Sequence, residues 1–471
     1  MPTPKARVHF RSLGCPKNQL DSEVMLGSLA LAGYALAERL EDADAAVVNT
    51  CSFIESAREE SIGAILEVAE LREAGRLRAL VVTGCLPQRY GAELAKELPE
   101  VDAFVGTGRF QDIAPILDAA LAGRPFDAAL ASRPFGAALA SRPFDAALAG
   151  RSRGGVYVEA GRTHLYDEHH PRLPIGPRHT AYVKIAEGCN RPCAFCAIPG
   201  IRGRFQSRTL DSLVAEARQL AATGARELNL VAQDSTAWGW DLPRRPGLAE
   251  LLRALDEVEG VDWIRLLYVY PSAVGDELIR TIASARRVLP YVDVPLQHAS
   301  DRILRAMKRG TSAAAQRKLV ERLRAGIPGV TLRTTFIVGF PGEEDSDFEA
   351  LCEFVREARF DRVGVFRYSD EEGTAAHAYP DKVPKAVARQ RQRRLVALQG
   401  EIMAEKLGEL VGREAPVLVD RAAPGLALGR LPSQAPEIDG AVRIRGNAKP
   451  GELVRVRITG VRGVDLEALR V

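Results

Sequence analysis

The sequence predicts an α/β protein with three structural parts: an N-terminal parallel-sheet domain that carries three cysteines, a partial (β/α)6 barrel, and a small C-terminal β-barrel. Three observations lead to this fold class. Short β-branched runs alternate with helical patterns over about the first hundred residues, and a second alternation runs from about 179 to 380. Residues 413–471 instead alternate apolar and polar side chains. Alternating strands and helices are typical of parallel sheets, whereas many short alternating strands are typical of a small barrel.

Length and composition limit the class of protein. At roughly 150 residues per domain, 471 residues correspond to about three domains, and a hydrophobic content of 46% supplies a sizeable core. Lys and Arg number 64 against 61 Asp and Glu, a net charge of +3 that is too balanced for binding nucleic acid by charge alone. No apolar run approaches the roughly 18 residues of a membrane span, and the basic residues scattered over Met1–Leu20 leave no signal-peptide core. We therefore expect a cytoplasmic, monomeric protein with no membrane partner.

The first alternation predicts three strands, each followed by a helix. The second and third strands are apolar and β-branched, as expected of strands that are buried on both faces. The predicted strands are Ala6–Leu13, Ala45–Asn49 and Leu80–Thr83, and the predicted helices are Asn18–Leu31, Ile54–Leu71 and Gln88–Leu98.

A repeat interrupts the chain between the two alternations. Residues 123–149 contain three nine-residue copies, GRPFDAALA, SRPFGAALA and SRPFDAALA. This period is shorter than the roughly 20 to 50 residues of solenoid repeats, so we predict a linker over 123–178, with a partner-binding arm as the alternative. The predicted domains are accordingly 1–122, 179–400 and 401–471.

The second alternation predicts six βα units in order, which is typical of an open or partial barrel. In such folds, functional groups lie at the carboxyl ends of the strands. The predicted strands are Ala181–Ala186, Glu227–Ala232, Trp263–Tyr270, Tyr291–Pro295, Thr331–Val338 and Arg362–Arg367. A polar helix over Pro384–Leu410 then precedes the C-terminal barrel.

The strongest local signal is a cysteine motif directly after the first strand of this series. Cys189, Cys193 and Cys196 are spaced C-x3-C-x2-C, and no histidine follows at the spacing that a zinc site would need. Three thiolates on one loop suit a [4Fe–4S] cluster, since thiolate is its usual ligand. With three ligands for four irons, one iron stays open to a small molecule. A structural zinc and buried thiols are the alternatives.

A second cysteine set is spread over the first domain. Cys15, Cys51 and Cys85 lie 36 and 34 residues apart, yet each follows a predicted strand. In a parallel sheet these strand ends meet at one edge, where open α/β folds bind ligands. We therefore predict a second [4Fe–4S] cluster with an open iron, against the alternative of three unrelated buried cysteines. The seventh cysteine, Cys352, lies in an amphipathic stretch and is expected to be a core thiol.

These motifs resemble those of a known family. The C-x3-C-x2-C motif, with Phe195 before its last cysteine, resembles that of the radical S-adenosylmethionine (SAM) enzymes. The chain apart from its insert resembles the methylthiotransferases among them, which join a three-cysteine domain, a radical SAM barrel and an OB-like TRAM domain. It is more similar to the branch that modifies a ribosomal protein than to the tRNA-modifying branch. The stretches that carry this resemblance are SLGCPKNQLDSE (12–23), EGCNRPCAFCAIPGIRGRFQSR (187–208), VPLQHASDRILRAMKRG (294–310) and YSDEEGTAA (368–376).

The resemblance implies a reaction and its cofactors. We expect methylthiolation of the β-carbon of an aspartate in small-subunit ribosomal protein S-twelve, free or in the ribosome. Two [4Fe–4S] clusters and SAM are implied, with SAM as the methyl donor and as the source of a radical that abstracts hydrogen from the unactivated carbon. An electron donor such as a flavodoxin or ferredoxin is also implied, whereas no sulfur source is. A tRNA adenosine methylthiotransferase is the alternative function, and an iron–sulfur electron carrier is a third.

Residues in the cysteine motif, on the strands and at the strand ends are candidates for contacts with SAM. The predicted SAM contacts are Phe195, Gln233, Asp234 and Arg333, and the residues predicted to line the same side of the barrel are Gln297, His298 and the turn Phe336–Glu343. For each, the alternative is an ordinary polar group or turn at the end of a strand. Lys17 and Asn18 beside Cys15 could orient a cluster-bound sulfur or cap the following helix. Trp238 and Trp240 are expected to pack rather than to bind substrate, and no catalytic residue is predicted.

The C-terminal segment bears on the substrate class. Residues 413–471 contain ten Lys and Arg and seven Asp and Glu, a difference of +3, and no Phe, Tyr or Trp. Proteins that read single-stranded RNA usually stack bases on aromatic rings above a positive groove. The composition therefore favours a protein target, although arginine can also stack and RNA stems are read by shape. A structural module without a partner is the alternative.

Overall fold

The computed structural model describes residues 4–126, 154–159 and 164–471. Two compact units divide the chain. The first runs to Ile175 and includes the segments Glu187–Arg191 and Cys196–Gln206, and the second contains the rest. Apart from residues 123–126, the nine-residue repeats lie outside the described residues.

The first unit contains a six-stranded parallel sheet in the order β2-β1-β3-β4-β5-β6. Its strands are β1 (Arg7–Ser12), β2 (Ala35–Ala37), β3 (Ala45–Thr50), β4 (Ala79–Gly84), β5 (Ala103–Val105) and β6 (Gly155–Tyr157). Its helices are α1 (Pro16–Leu31), α2 (Glu55–Glu73), α3 (Cys85–Glu97) and α4 (Ile113–Leu121). The three predicted strands correspond to β1, β3 and β4, and three short strands complete the sheet.

The core of the first unit follows from its apolar strands. All six residues of β3 and all six of β4 are buried, because helices cover both faces of a parallel sheet. Val48 of β3, Val82 of β4 and Ile65 of α2 belong to one hydrophobic cluster, and each is fully buried. This packing holds the ends of β3 and β4 in fixed positions.

The sixth strand comes from within the predicted linker. β6 pairs with β5 in parallel, so at least this part of 123–178 belongs to the first sheet. The backbone N–H of Phe126 donates to the hydroxyl of Tyr157 at 2.9 Å, and the two rings meet edge to face. The last described residue of the first repeat therefore contacts the strand that follows the repeats.

The second unit contains a six-stranded, all-parallel open sheet in the order β14-β13-β12-β11-β10-β7. The strands over this part of the chain are β7 (Thr180–Lys184), β8 (Ala186–Glu187), β9 (Gln206–Ser207), β10 (Glu227–Val231), β11 (Trp263–Leu266), β12 (Val288–Asp293), β13 (Thr331–Val338) and β14 (Arg362–Arg367). The helices are α5 (Ile198–Arg202), α6 (Leu210–Ala222), α7 (Leu248–Asp256), α8 (Asp276–Ser284), α9 (Asp301–Ala306), α10 (Ala313–Gly326), α11 (Asp345–Ala358) and α12 (Lys385–Gly408). The short elements β8, α5 and β9 flank the C-x3-C-x2-C motif along the chain.

A closed five-stranded barrel ends the chain, in the order β15-β16-β17-β19-β18. Its strands are β15 (Glu414–Ala423), β16 (Leu426–Arg430), β17 (Val442–Arg445), β18 (Leu453–Arg462) and β19 (Asp465–Arg470). Alternate residues such as Val417, Val419 and Ile444 face a single core. The predicted fold class is thus confirmed in all three parts. Helix α12 runs through the predicted boundary at residue 400, and the domain boundaries stay predictions.

Buried charges join the C-terminal barrel to the parallel sheet within the second unit. Arg265 of β11 and Glu227 of β10 are both fully buried, and two guanidinium nitrogens of Arg265 donate to Glu227 Oε1 at 3.0 and 3.1 Å. Arg265 also donates to the carbonyl oxygen of Pro432, at 2.7 Å. Arg430 of β16 approaches the other oxygen of Glu227 at 2.7 Å. Glu227 therefore pairs with one arginine from the sheet and one from the barrel.

In the described ranges of the chain, no helix combines the length and apolar character that crossing a bilayer requires.

Replacing Arg265 should destabilise the second unit. Arg265→Met removes one cation from a fully buried ion pair, so we expect the free energy of unfolding to fall by about 3–5 kcal/mol. Urea denaturation measures the change. The matched control is Arg253→Met, because Arg253 pairs with Glu277 at the surface and its loss should cost at most about 1 kcal/mol. Equal effects of the two substitutions would contradict the assigned role of Arg265.

Candidate functional site

Three strand ends of the first sheet carry Cys15, Cys51 and Cys85. Cys51 directly follows β3, Cys85 directly follows β4, and Cys15 lies three residues after β1. The parallel register aligns Ser12 of β1 with Asn49 of β3, and Asn49 in turn with Thr83 of β4. All three cysteines therefore lie at the same carboxyl edge of the sheet, as the sequence pattern predicts.

Two glycines let these loops approach each other closely. Gly14 has a φ of +92°, and a Cβ atom there would lie 2.7 Å from Cys51 Cβ and 3.2 Å from Cys51 Sγ. Gly84 has a φ of +101°, and a Cβ atom there would lie 2.5 Å from the carbonyl oxygen of Thr50. Such distances exclude a side chain at either position. The Cys15 loop and the Cys85 loop thus both pack directly against the Cys51 strand end.

The side chain of Asn18 joins two of the cysteine loops. Its Nδ2 donates to the carbonyl oxygens of Leu13 at 2.6 Å and Thr50 at 3.3 Å, residues that lie beside Cys15 and Cys51. Helix α1 is not capped by a side chain, since its N-cap residue is Cys15 itself. Of the two roles considered for Asn18, helix capping is therefore wrong.

Helix termini add a favourable field at two of the thiols. Cys15 is the N-cap residue of α1, and Cys85 is the first residue of α3. The positive end of a helix dipole favours negative charge, so a cluster held by Cys15 and Cys85 would lie beside two helix N-termini.

A buried arginine contacts this cysteine set within the first unit. Arg202, the last residue of α5, is 2% exposed, and its Nη2 donates to Cys85 Sγ at 3.3 Å and to Asn18 Oδ1 at 3.0 Å. Its Nη1 donates to Asp21 at 2.6 Å and to Glu187 at 3.3 Å. Sequence reasoning missed Arg202, although it lies six residues after Cys196 in a stretch that carries the family resemblance.

Burial and charge act in opposite directions on the thiols. Burial raises the pKa of Cys85 to about 12, and the neighbouring Arg202 opposes that rise. Burial also raises the pKa of Cys51, and a negative charge on Cys15 would raise it further. The three thiols thus share one electrostatic environment, in which positive charge is needed to hold them together as thiolates.

The donor set fits an iron–sulfur cluster. Thiolate is the usual ligand of such a cluster, and here three thiols converge on one edge beside a guanidinium. In the part of the chain that the structure describes, no three His, Cys, Asp or Glu side chains are arranged to hold a single metal ion. A four-iron cube makes a different demand, because each thiolate binds its own iron.

The C-x3-C-x2-C loop makes hydrogen bonds within each unit. In the first unit, the N–H of Cys189 donates to the carbonyl oxygen of Gly203 at 3.2 Å, and the N–H of Arg191 donates to Cys189 Sγ at 3.4 Å. In the second unit, Nη1 of Arg309 donates to Cys193 Sγ at 3.2 Å. Arg309 is 4% exposed and stacks over the ring of Tyr270, with its guanidinium carbon 4.4 Å from the ring centre.

The predicted SAM contacts lie in different surroundings. Phe195 packs against a hydrophobic cluster that includes Met307 and Phe340. Asp234 follows β10 and accepts from the N–H of Thr236, so part of its carboxylate already caps a turn. Gln233 lies beside it at the same strand end. All three stay predictions as SAM contacts.

Arg333 is the third residue of β13, the fifth predicted strand of this series. The register places it opposite Asp293, and its Nη1 donates to Asp293 Oδ1 at 3.0 Å. Its Nε lies 3.7 Å from Asp439, which belongs to the C-terminal barrel segment. Two carboxylates therefore account for its charge, and a contact between Arg333 and SAM remains a prediction.

Several buried amides in the second unit have atoms without a partner among the described residues, and two of them lie on or just after strands of the parallel sheet. Both amide atoms of Asn229 on β10 lack a hydrogen bond, as does Oε1 of Gln297 after β12. A buried polar atom left unpaired costs about 1–3 kcal/mol, so a polar ligand bound beside these amides would be stabilised. This supports SAM binding on this side of the sheet, and the polarity of Asn229 within a buried strand was the signal available in the sequence.

A buried acid, Glu343, lies in the turn after β13, and a buried base, His298, lies in the segment after β12. Glu343 accepts from the N–H groups of Gly339 and Phe340, at 2.5 and 3.1 Å, and pairs with Arg391 at 3.1 Å. Burial raises the pKa of Glu343 to about 7. Burial lowers the pKa of His298 to about 4, and its Nδ1 accepts from the N–H of Ser300.

Two remaining sequence predictions concern side chains outside the cysteine sets. Trp238 is fully buried and donates to the carbonyl oxygen of Arg208 at 3.0 Å, so it packs as expected, whereas Trp240 is half exposed. Cys352 lies in α11 and is fully buried, as expected of a core thiol.

Three family models match successive parts of the chain. Residues 7–106 match the uncharacterized protein family UPF0004, residues 183–355 match the radical SAM superfamily, and residues 411–471 match the TRAM domain. The parallel sheet of the second unit and the C-x3-C-x2-C motif after its first strand thus define a radical SAM enzyme. That superfamily implies a [4Fe–4S] cluster and SAM.

Curated relatives are similar along the whole chain. A protein of Myxococcus xanthus is 47% identical over 99% of this chain and 92% of its own length, and one of Geobacter sulfurreducens is 46% identical over 99% of both. A protein of Anaeromyxobacter is 50% identical over 98% of this chain and 92% of its own length. Each is named ribosomal protein uS12 methylthiotransferase RimO. The chain belongs to the RimO family, which confirms the resemblance that its motifs indicate.

Among solved structures, the fold is similar to that of TsrM, a radical SAM methyltransferase from Kitasatospora setae, solved with its tryptophan substrate and a SAM analog. The likeness covers 84% of this chain and 89% of that chain, with a TM-score of 0.53 and 15% identity. At this identity the likeness shows the fold alone.

Replacing His298 should reduce the acid sensitivity of the fold. The folded state keeps His298 neutral down to about pH 4, whereas an unfolded histidine takes up a proton near pH 6.5. The stability that His298 contributes is therefore present above pH 6.5 and is lost as the pH falls to 4, by about 3 kcal/mol. His298→Asn, whose Oδ1 takes the place of the histidine Nδ1 and can still accept from the N–H of Ser300, should lose less stability over this range than the parent. Urea denaturation at several pH values measures it, with His377→Asn as the control at a half-exposed surface position.

Proposed function

We propose that this chain is a radical SAM methylthiotransferase that adds a methylthio group to the β-carbon of an aspartate in ribosomal protein uS12. In this proposal the chain holds two [4Fe–4S] clusters, and SAM serves both as methyl donor and as radical source. The observation that carries the proposal is the presence of two three-cysteine sets in one chain, one at the edge of each parallel sheet. The relatives named for this activity, which match the chain over nearly its full length, support it.

Each cysteine set has its own role in this proposal. Cys189, Cys193 and Cys196 would hold the cluster that works with SAM, and the set Cys15, Cys51 and Cys85 would hold the cluster that carries the sulfur. When bound, such clusters supply an electron to SAM and an open iron for a small molecule. The protein orients these groups through Phe195, Gln233, Asp234 and Arg333, which stay predicted SAM contacts.

The surroundings of the thiols suit this division. Cys85 and Cys51 are buried, so water is kept from the sulfur that would be transferred. Arg202 and Arg309 each donate to one thiol, and each adds a positive charge beside a set of thiolates. The unpaired amide atoms of Asn229 and Gln297 would form hydrogen bonds with the polar groups of SAM.

The C-terminal barrel favours a protein substrate over RNA. Its outward residues are arginine and aliphatic, for example Arg455 and Arg457 on β18 beside the exposed Leu453 and Val461. An RNA-stacking aromatic ring is absent from residues 413–471. We expect the enzyme to act in the cytoplasm, with a flavodoxin or ferredoxin as electron donor.

Iron analysis tests the number of clusters. Anaerobically reconstituted protein should contain about eight irons per chain, and Cys51→Ala should contain about four, since a four-iron cube would be lost. Cys352→Ala is the matched control, because that thiol is buried in α11 and should leave about eight irons. A parent protein with only about four irons would contradict the second cluster.

The two cysteine sets should separate SAM cleavage from sulfur transfer. Cys193→Ala should abolish SAM cleavage, because the cluster that donates the electron loses a ligand. Cys51→Ala should leave cleavage intact and stop methylthio transfer. Liquid chromatography of the SAM products and mass spectrometry of uS12 measure the two steps. Methylthio transfer by the Cys51 variant would contradict the role of the first-domain set.

Mass spectrometry also identifies the substrate. In cells that lack the gene, uS12 should lose its methylthio mass while tRNA adenosines keep theirs. The opposite result would establish the tRNA enzyme instead.

A further inference from the structure

We propose that Arg202 is a positioning residue for the first-domain iron–sulfur site. Its guanidinium donates a hydrogen bond to the Cys85 thiolate and thereby raises the reduction potential of the cluster. This inference rests on the proposed function, because it requires a cluster on Cys15, Cys51 and Cys85. Nothing in the family comparisons assigns a role to this arginine.

The geometry divides the guanidinium into two halves. Nη1 donates to the two carboxylates, Asp21 at 2.6 Å and Glu187 at 3.3 Å. Nη2 donates to the cysteine site, to Cys85 Sγ at 3.3 Å and to Asn18 Oδ1 at 3.0 Å. An arginine that served only as a partner for the carboxylates would have no need to direct Nη2 at a sulfur atom. The planar fork allows both halves to bind at once, which the point charge of lysine cannot do.

Asn18 extends this contact to the other two cysteine loops. Its Oδ1 accepts from Arg202, while its Nδ2 donates to the carbonyl oxygens of Leu13 and Thr50. One carbonyl lies in the Cys15 loop and the other immediately precedes Cys51. Arg202 therefore contacts the Cys85 thiol directly and the other two loops through one amide.

The negative charge of the site makes the reduction potential of the cluster sensitive to the hydrogen bond from Arg202. Three thiolates outweigh the positive charge of a four-iron cube, and an added electron makes the site more negative still. Hydrogen bonds to the sulfurs and the net charge are among the factors that set cluster potentials. Arg202 is 2% exposed, so water screens its charge only weakly. A buried guanidinium donating to a ligand sulfur should therefore favour the reduced cluster.

The position of Arg202 in the chain couples the two cysteine sets. Arg202 ends the short helix α5, which begins two residues after Cys196. Ala197 and Ile201 of the same segment pack against Cys85 in a small buried cluster. The segment that supplies a ligand to the SAM motif thus also supplies the arginine of the other site.

A redox titration of a single-cluster protein tests the proposal. The full-length chain with Cys189, Cys193 and Cys196 all changed to Ala can hold only the first-domain cluster, which isolates its signal. Iron content and the EPR-monitored midpoint potential are measured for this background and for Arg202→Met and Arg202→Lys in it. The matched control is Arg72→Met, because Arg72 forms a two-point pair with Asp102 in the same unit, at 2.9 and 3.0 Å.

We expect the background to hold about four irons. Arg202→Met should lower the midpoint potential by at least about 59 mV, a tenfold change in the ratio of reduced to oxidised cluster for one electron. Arg202→Lys should shift it in the same direction by less, since it keeps a charge and loses the fork, and Arg72→Met should not shift it. Arg202→Met removes the cation that Asp21 and Glu187 share. If this variant does not fold, the lysine variant gives the deciding potential.

The outcomes separate this inference from the proposed function. If the iron-loaded Arg202 variants keep the parental potential, or if Arg72→Met shifts it as much, the role of Arg202 is overturned while the second cluster stands. If the background binds no iron, the second cluster and the inference fall together.

Discussion

Parallel pairing of β1, β3 and β4 is the constraint on which the first-domain site depends. Strands that run in the same direction end at the same edge, so residues 36 and 34 positions apart in sequence become neighbours. The pairing leaves little room between the loops, and Gly14 and Gly84 occupy the two places where a Cβ atom would clash. Convergence of the three thiols is thus a consequence of sheet direction and loop packing, and it requires no local sequence motif.

Buried charge is compensated by arginine throughout both units. In the first unit, Arg202 pairs with two carboxylates and donates to a thiol, and in the second unit Arg309 donates to a thiol. Away from the cysteines, Glu227 pairs with Arg265 of the sheet and with Arg430 of the barrel. The planar guanidinium of arginine has five N–H donors and suits these buried sites, because it can donate to several acceptors from one position. The same chemistry therefore serves stability in one part of the molecule and the candidate site in another.

Much of the fold could be predicted from the sequence, because β-branched runs and amphipathic periods are local signals. Thr331–Val338 and Arg362–Arg367 form strands with the predicted bounds. The three-residue strand β6 could not be predicted, since so short a run has no period and owes its conformation to β5 beside it. The edge position of Cys51 followed from its strand. The contact of Arg202 with Cys85 spans 117 residues and depends on tertiary packing, which no local pattern reveals.

The contact between Phe126 and Tyr157 has a consequence for evolution of the insert. The described chain leaves the first sheet and rejoins it at two residues that touch, so the intervening segment closes a loop whose ends are already together. The entropy of such a closure grows only slowly with length, by about 0.6 kcal/mol for each doubling. Gain or loss of one nine-residue unit should therefore change the stability of the first sheet little, while β5 and β6 keep their register.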